Sequence, residues 1–355
     1  MAERPLRTVI VGDALLPTGV IAEALEPLDG PLEVIASLNW GPPDEAEVDR
    51  MALRLEHEGP TAERPPEELW ARLASADLLV VHYCPVSREV IEGAASLRFL
   101  ATCRAGTENL DVGAATEAGV LVLHVIGRTT EAVSDFAVGL LLSEVRNIAR
   151  AHARLAAGRW DKSFVTSPFT PELEGRTIGI VGFGEVGRAL ARKLQGFGMR
   201  RLAFDPFVDD ERIRDGGAEP ATLETLIRES DFISLHARLE PGEPPLIGDR
   251  ELGAMKPTAY LINTARSSLL DTDALVRSLR ERRIAGAALD VHDREPMGED
   301  HPLLELDNVT LTPHLASSTK ECAEKSPRIL AEDIRRVIRG ERPRFAVNGE
   351  GEEGP

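Results

Sequence analysis

Thr177-Ile-Gly-Ile-Val-Gly182-Phe-Gly184-Glu-Val-Gly187-Arg-Ala-Leu-Ala191 decides how the rest of the 355-residue chain is read. An apolar, β-branched run leads into three glycines at the spacing GxGxxG, and a helix-forming run follows at once. The pattern predicts a buried strand, a tight turn and a helix N-terminus whose backbone N–H groups can approach a pyrophosphate. Arg201-Leu-Ala-Phe-Asp205 is the next apolar run, and its terminal acid stands where a carboxylate accepts hydrogen bonds from an adenosine ribose. Three glycines alone fit any turn that tolerates glycine. With strand, helix, second strand and terminal acid they predict dinucleotide binding at Gly182, Phe183, Gly184, Glu185, Val186, Gly187 and Asp205.

Composition sets the frame around this motif. A chain of 355 residues, 43% hydrophobic, is too long for one small core and fits two α/β domains. It contains no run of about 18 apolar residues that would span a membrane. The N-terminus lacks the apolar core and cleavage site of a secretory leader. Cys84, Cys103 and Cys322 are odd in number and not in metal-ligand spacing, which predicts reduced thiols in a cytoplasmic protein without a metal. A formal charge of −18 argues against nucleic acid as a partner and favours small substrates.

Upstream of the motif, strands are expected at Thr8–Asp13, Leu32–Ala36, Ala76–His82, Leu97–Thr102 and Gly119–His124, and a short helix at Gly19–Leu28. Helical intervals between strands predict a parallel sheet with crossover helices. The polar stretch Trp40–Trp70 reads as surface helix and loop. Thr129 to about Gly158 reads as one long amphipathic helix with Val133, Phe136, Ala137, Leu140, Leu141, Ile148 and Leu155 largely on one face. From Thr177 onward, six strands are expected: Thr177–Val181, Leu202–Asp205, Phe232–His236, Ala259–Asn263, Gly286–Val291 and Val309–Thr312. Helices lie between them, one of them capped by Asp271. Ser318–Arg339 is a closing helix, and residues 346–355 are a flexible acidic tail.

In an open α/β sheet, polar residues at the C-terminal ends of strands face the ligand crevice. Asn263-Thr-Ala-Arg266, Asp290-Val-His-Asp-Arg-Glu295-Pro and Thr312-Pro-His314 end successive strands of the second unit. Arg266 can hold a substrate carboxylate in a bidentate fork. His314 can exchange a proton with a carbinol or carbonyl oxygen while hydride moves. Glu295 can orient the imidazole and stabilise its protonated form.

Gly182-Phe-Gly-Glu-Val-Gly187, Asp205-Pro, Leu261-Ile-Asn-Thr-Ala-Arg266, Ala288-Leu-Asp-Val, Glu295-Pro and Thr312-Pro-His314 together resemble the D-isomer-specific 2-hydroxyacid dehydrogenases. The resemblance runs from about Ile91 to Arg339 and takes in Gly106-Thr-Glu-Asn-Leu-Asp111 and Gly119-Val-Leu-Val-Leu-His. It implies a Rossmann-type NAD-binding domain (127–315) inserted into a flavodoxin-like substrate domain (1–126 and 316–345). Closure of the domains would exclude water from the hydride path. The resemblance also implies that Arg266, Glu295 and His314 are catalytic. Asp290 would hold the nicotinamide carboxamide, and Thr264 and Ala265 would touch the cofactor. Arg104, Ala105 and Gly106 would grip the substrate carboxylate through backbone N–H groups. Members are usually homodimers that meet near the helix beginning at Thr129.

The chain departs from the family at four places: Ser267-Ser268 after the catalytic Arg, Arg238 in His236-Ala-Arg-Leu-Glu240, Asp135 for a common Glu, and Ser317 for a frequent Gly. None removes a catalytic group, but all bear on pocket shape.

Other residues carry two readings. His236 is a cofactor contact or a packing residue, and His82 and Tyr83 are substrate contacts or loop packing. His292 and Asp293 could be mistaken for the acid–base pair, although spacing favours Glu295. Asp205 favours NAD over NADP by repelling a 2′-phosphate, a preference that Arg212 and Arg214 would soften.

The implied activity is NAD-linked interconversion of a 2-oxoacid and a D-2-hydroxyacid, with a glyoxylate-, hydroxypyruvate- or phosphoglycerate-like substrate. A corepressor-like NAD(H)-sensing protein and a phosphite-type dehydrogenase are the alternatives on the same fold. The formate-dehydrogenase branch carries Gln where Glu295 stands. A phosphorylated substrate would need extra basic residues, for which Arg88 and Arg104 are the visible candidates.

Overall fold

The computed structural model describes residues 4–26, 32–239 and 242–349. The chain divides into two compact units, Met1–Arg128 with Thr319–Pro355, and Thr129–Ser318.

Unit 1 opens with β1 (Leu6–Gly12), α1 (Thr18–Leu25), β2 (Leu32–Asn39), α2 (Glu45–Glu58) and α3 (Glu67–Leu73). It continues through β3 (Leu78–Val81), α4 (Arg88–Glu92), β4 (Phe99–Thr102), α5 (Val112–Glu117) and β5 (Leu121–Leu123). The strands form one parallel sheet in the order β2-β1-β3-β4-β5, the flavodoxin-like order. Side chains alternate across it. Val9, Val11, Leu79 and Val81 enter one apolar layer, while Ile10, Leu78 and Val80 enter the other. Both faces are buried, so the strands read as continuous apolar runs. Leu330, Ala331 and Ile334, from the helix Lys320–Ile338, complete the second layer beside Ile21 and Leu25. The expected helix Gly19–Leu28 is seen as Thr18–Leu25, and Leu28 lies outside the described residues.

Two expectations are corrected in this unit. Residues 346–348 are no loose tail: Ala346 bridges Leu123, Val347 donates to Val122 O at 2.9 Å, and Asn348 accepts from Val122 N at 2.8 Å. Residues 350–355 lie outside the described residues. The polar stretch after Trp40 is also more than surface. Trp40 is buried, with Nε1 donating to Arg64 O at 3.0 Å, and α2 brings Glu56 onto Arg104.

Unit 2 begins with α6 (Thr130–Val145) and α7 (Ile148–Ala156), followed by β6 (Thr177–Val181), α8 (Glu185–Leu194), β7 (Arg200–Phe204) and α9 (Asp210–Asp215). Next come β8 (Glu219–Pro220), α10 (Leu223–Glu229), β9 (Phe232–Leu235), α11 (Asp249–Ala254), β10 (Tyr260–Asn263) and α12 (Thr272–Arg280). The last strands are β11 (Gly286–Leu289) and β12 (Val309–Leu311). All pair in parallel in the order β12-β11-β10-β9-β6-β7-β8. The chain crosses from one side of β6 to the other between β8 and β9, which makes the β6/β9 boundary the topological switch point. The six expected strands are present, and Asp271 caps α12 by accepting from Ala274 N at 2.9 Å. The short β8 was not foreseen, because two residues carry no periodicity.

The single long helix from Thr129 is instead two. Asn147 takes the left-handed conformation at φ 57° and receives Thr166 Oγ1 (2.8 Å) and Arg150 (3.2 Å) on its side chain. Those bonds stabilise a break that propensity alone does not announce. Ala137, Leu140 and Leu141 of α6 pack on the sheet as expected, with Val145 beside them. On α7, Ile148 and Leu155 do not: they are 56% and 55% exposed. Buried beneath the break, Glu144 accepts two bonds from Arg150 at 2.8 Å and one from Thr310 Oγ1 at 2.6 Å.

Candidate active site

The glycine turn between β6 and α8 uses its three glycines differently. Gly182 has φ +91°, and a Cβ there would stand 2.4 Å from Ala237 N. At Gly187 a Cβ would stand 2.2 Å from Gly182 O. Both are required by the fold. Gly184, the N-cap of α8, is exposed and would meet nothing within 4 Å. Its missing side chain keeps the approach to the helix N-terminus open, as a pyrophosphate requires. Phe183 is buried in the apolar layer beneath; Glu185 is exposed and Val186 half-buried at the start of α8.

Asp205, one residue past β7, accepts from Phe183 N at 2.7 Å and from Phe207 N at 2.9 Å. It therefore fixes the glycine turn, and each oxygen retains a lone pair for a ribose hydroxyl. Arg214 pairs with Asp210 at 3.0 Å, which offsets its softening of the acidity here.

β10, β11 and β12 lie side by side, with Asn263, Leu289 and Leu311 in register at their C-terminal ends. Arg266, Glu295 and His314 follow those ends. His314 Nδ1 is 2.8 Å from Glu295 Oε2, and Glu295 Oε1 accepts from His292 N at 2.8 Å. Burial pushes the Glu295 carboxyl up, but the His314 hydrogen bond and charge and the His292 contacts outweigh it, so its pKa is lowered. His292 donates from Nε2 to Thr312 O at 2.9 Å, and Asp293 pairs with His301 at 2.9 Å. The imidazole–carboxylate pair at this edge is thus Glu295 with His314. Arg266 is exposed; its Nη1 donates to Ala265 O at 2.9 Å, and its own carbonyl accepts from Asn263 Nδ2 at 2.9 Å.

The backbone at His314 is left-handed, φ 55°, a costly conformation for a non-glycine residue. Asp290 holds it in place. Buried Oδ1 accepts from Thr312 Oγ1 (2.6 Å) and Leu315 N (2.8 Å), and Oδ2 accepts from Ala316 N (2.8 Å). Asp290 is therefore a positioning residue for the His314 turn, whatever else it binds.

Two buried polar atoms past β9 and β10 have no hydrogen-bond partner among the described residues: His236 Nδ1 and Thr264 Oγ1. His236 Nε2 contacts Ser234 Oγ at 2.8 Å, and burial pushes its pKa down to about 4. Ala265 N donates to Asn263 Oδ1 at 3.0 Å. Unpaired buried polar atoms are costly, and their place next to the switch point fits a dinucleotide that would satisfy them.

In unit 1, the loop after β4 carries the other expected residues. Arg104 is buried, its guanidinium 4.1 Å from the Tyr83 ring centroid. It is bonded to Glu56 and, at 3.1 Å, to Asn109. Its side chain is therefore committed inside the unit. Its backbone N–H donates to Thr102 Oγ1 at 3.3 Å. The N–H groups of Ala105 and Gly106 take part in no hydrogen bond among the described residues. The expected backbone grip thus narrows to these two. His82 and Asp13, buried together at 2.9 Å, form a pair that sequence reasoning missed. Asp13 ends a strand, and the strand-end rule applied to unit 1 would have found it. Burial pushes the His82 pKa down against the opposing charge of Asp13, while Arg128 and Arg104 push it further down.

A parallel sheet with a glycine turn at its switch point and a His–Glu pair at its carboxyl edge is the architecture of a dinucleotide-binding α/β domain. Residues 138–316 match the model of the D-isomer specific 2-hydroxyacid dehydrogenase NAD binding domain. The chain is 40% identical over 295 residues to the glyoxylate reductase of Thermofilum pendens, covering 81% of this chain and 86% of that one. It is 38% identical over 284 residues to the D-3-phosphoglycerate dehydrogenase of Methanocaldococcus jannaschii, covering 79% of this chain and about half (53%) of that longer one. The crystal structure of a glyoxylate reductase from Paecilomyes thermophila superposes with a TM-score of 0.75 at 26% identity, covering 97% and 98% of the two chains. The chain belongs to the D-isomer specific 2-hydroxyacid dehydrogenase family, and is an oxidoreductase that uses a nicotinamide dinucleotide. No helix among the described residues is long and apolar enough to cross a membrane.

Proposed function

We propose that the protein interconverts a 2-oxoacid and a D-2-hydroxyacid, with His314 as acid and base and NAD as the cofactor. The observation that carries this reading is the bond from His314 Nδ1 to Glu295 Oε2. With Nδ1–H held by a carboxylate, Nε2 becomes the ring nitrogen that changes protonation. The bound nicotinamide supplies or takes up hydride. His314 gives a proton to the carbonyl oxygen during reduction and removes it from the carbinol during oxidation. Glu295, anchored by His292 N, stabilises the imidazolium. Arg266 holds the substrate carboxylate in a bidentate fork; in unit 1, the N–H groups of Ala105 and Gly106 are open to an anion. Gly182–Gly187, Asp205, His236, Thr264, Ala265 and Asp290 line the cofactor's place, and the Asp205 carboxylate disfavours a 2′-phosphate.

Glyoxylate, hydroxypyruvate and pyruvate assayed with NADH and with NADPH test the reading. Turnover with NADH favoured over NADPH is expected. No turnover of any 2-oxoacid with either cofactor would sink it. We also propose a cytoplasmic homodimer that meets at α7. It is supported by three free buried cysteines and by exposed Ile148, Leu155 and Trp160, the last 78% exposed. Sedimentation of wild type and Ile148→Asp tests the dimer.

A further inference from the structure

Arg128 differs from the other buried arginines. Arg104 has Glu56 and, at 3.6 Å, Glu108, and Arg150 has Glu144. Arg128 follows Gly127, whose φ of +85° turns the chain. Its Nε is buried, and no hydrogen bond or ion pair reaches the guanidinium among the described residues. After burial, the largest influences on its charge are Tyr83, Arg104, Cys322 and Cys103, and His82 feels its charge in turn, all in unit 1. Burial lowers its pKa, Tyr83 opposes that, and the charge of Arg104 adds to it. A half-buried cation without a counter-charge is costly to hold, by several kcal/mol when fully desolvated. The cost is recovered when an anion arrives.

The other basic candidates in unit 1 are already committed. Arg88 is exposed and pairs with Glu117 at 2.7 Å, and Arg104 is bonded inside the unit. We propose that Arg128, with Tyr83 beside it, receives a second anionic group of the substrate, a carboxylate or a phosphate. The enzyme would then favour 2-oxoacids that carry two anions. A guanidinium suits either group, because its fork matches both geometries. This proposal rests on the dehydrogenase function above and on unit 1 contacting the substrate.

The test compares full-length wild type with Arg128→Gln and Arg128→Lys, after circular dichroism shows that each is folded. Hydroxypyruvate is set against its 3-phosphate ester, and pyruvate against oxaloacetate. Arg128→Gln should lower kcat/KM for the doubly charged member of at least one pair about tenfold more than for its partner. Arg128→Lys should restore much of the difference. The pair that responds tells phosphate from carboxylate. Ratios within about twofold of wild type for both pairs overturn the proposal. If no 2-oxoacid is turned over, the dehydrogenase reading fails by itself, and calorimetric titration of inorganic phosphate into the dinucleotide-free protein decides. Binding lost in Arg128→Gln supports the anion site; equal binding overturns it.

Discussion

The two units solve the same problem in opposite ways. Each must hold charged groups rigidly at the end of a parallel sheet. Unit 2 adds short-range bonds to its strand-end contacts: Glu295 to His292, Ala265 to Asn263, and Phe207 to Asp205 lie two or three residues apart, while His314 to Glu295 spans 19. Unit 1 reaches across the chain: Asp13 and His82 are separated by 69 residues, and Glu56 and Arg104 by 48. Short-range chemistry leaves a motif in the sequence. Long-range chemistry leaves isolated residues that look ordinary until the fold joins them.

The comparison breaks most sharply at His314. Replacing it with Ala should lower turnover about 10²–10⁴-fold with little change in NADH affinity by fluorescence titration. Undiminished turnover would place the acid–base chemistry elsewhere, with His82 of unit 1 the first alternative. Next in size is the buried ion pair of Arg150 with Glu144 in unit 2, six residues apart. Arg150→Met strands Glu144 and should cost about 3–5 kcal/mol in urea unfolding. A cost below about 1 kcal/mol would mean that Glu144 is neutral and that Thr310 alone satisfies it.

His236 gives a pH-dependent test. Its folded pKa of about 4 lies below the ordinary 6.5. Between those values the unfolded chain binds a proton that the folded chain refuses, so stability falls as pH drops through that window and is fully present above it. The loss is at most about 3 kcal/mol. His236→Gln should lose less stability than wild type between pH 7 and pH 4.5; parallel unfolding curves would show that the imidazole titrates normally. Smallest for the fold, but diagnostic for the turn, is the contrast between two glycines. Gly187→Ala should destabilise the dinucleotide-free protein by about 1–3 kcal/mol. Gly184→Ala should leave its Tm nearly unchanged while weakening dinucleotide binding. Equal effects on Tm would refute the division of labour in the turn.

Legibility in the sequence followed the same divide. The strand–turn–helix at Gly182, the strand ends at Arg266, Glu295 and His314, and both parallel sheets were readable because period and spacing encode them. The break at Asn147 was not, because it depends on Thr166 and Arg150 meeting its side chain. Asp290 is expected at the cofactor, and the structure adds that it holds the turn of His314. Arg128 went unremarked, since nothing in a sequence reveals that a cation lacks a counter-charge. The backbone N–H of Arg104 is expected at the substrate, while its guanidinium is tied to Glu56 on a helix whose composition marks only polar surface.

The nested arrangement of the units also has a consequence in time. Unit 2 is one continuous stretch, Thr129–Ser318, whereas unit 1 needs residues from both flanks of it. On the ribosome, β1 to β5 emerge before unit 2, yet Leu330, Ile334 and the Ala346 bridge that complete their sheet emerge after it. The cofactor unit can therefore finish folding while unit 1 waits with Ile10, Ile21 and Val80 uncovered. A sheet made before unit 2 is closed only by segments made after it.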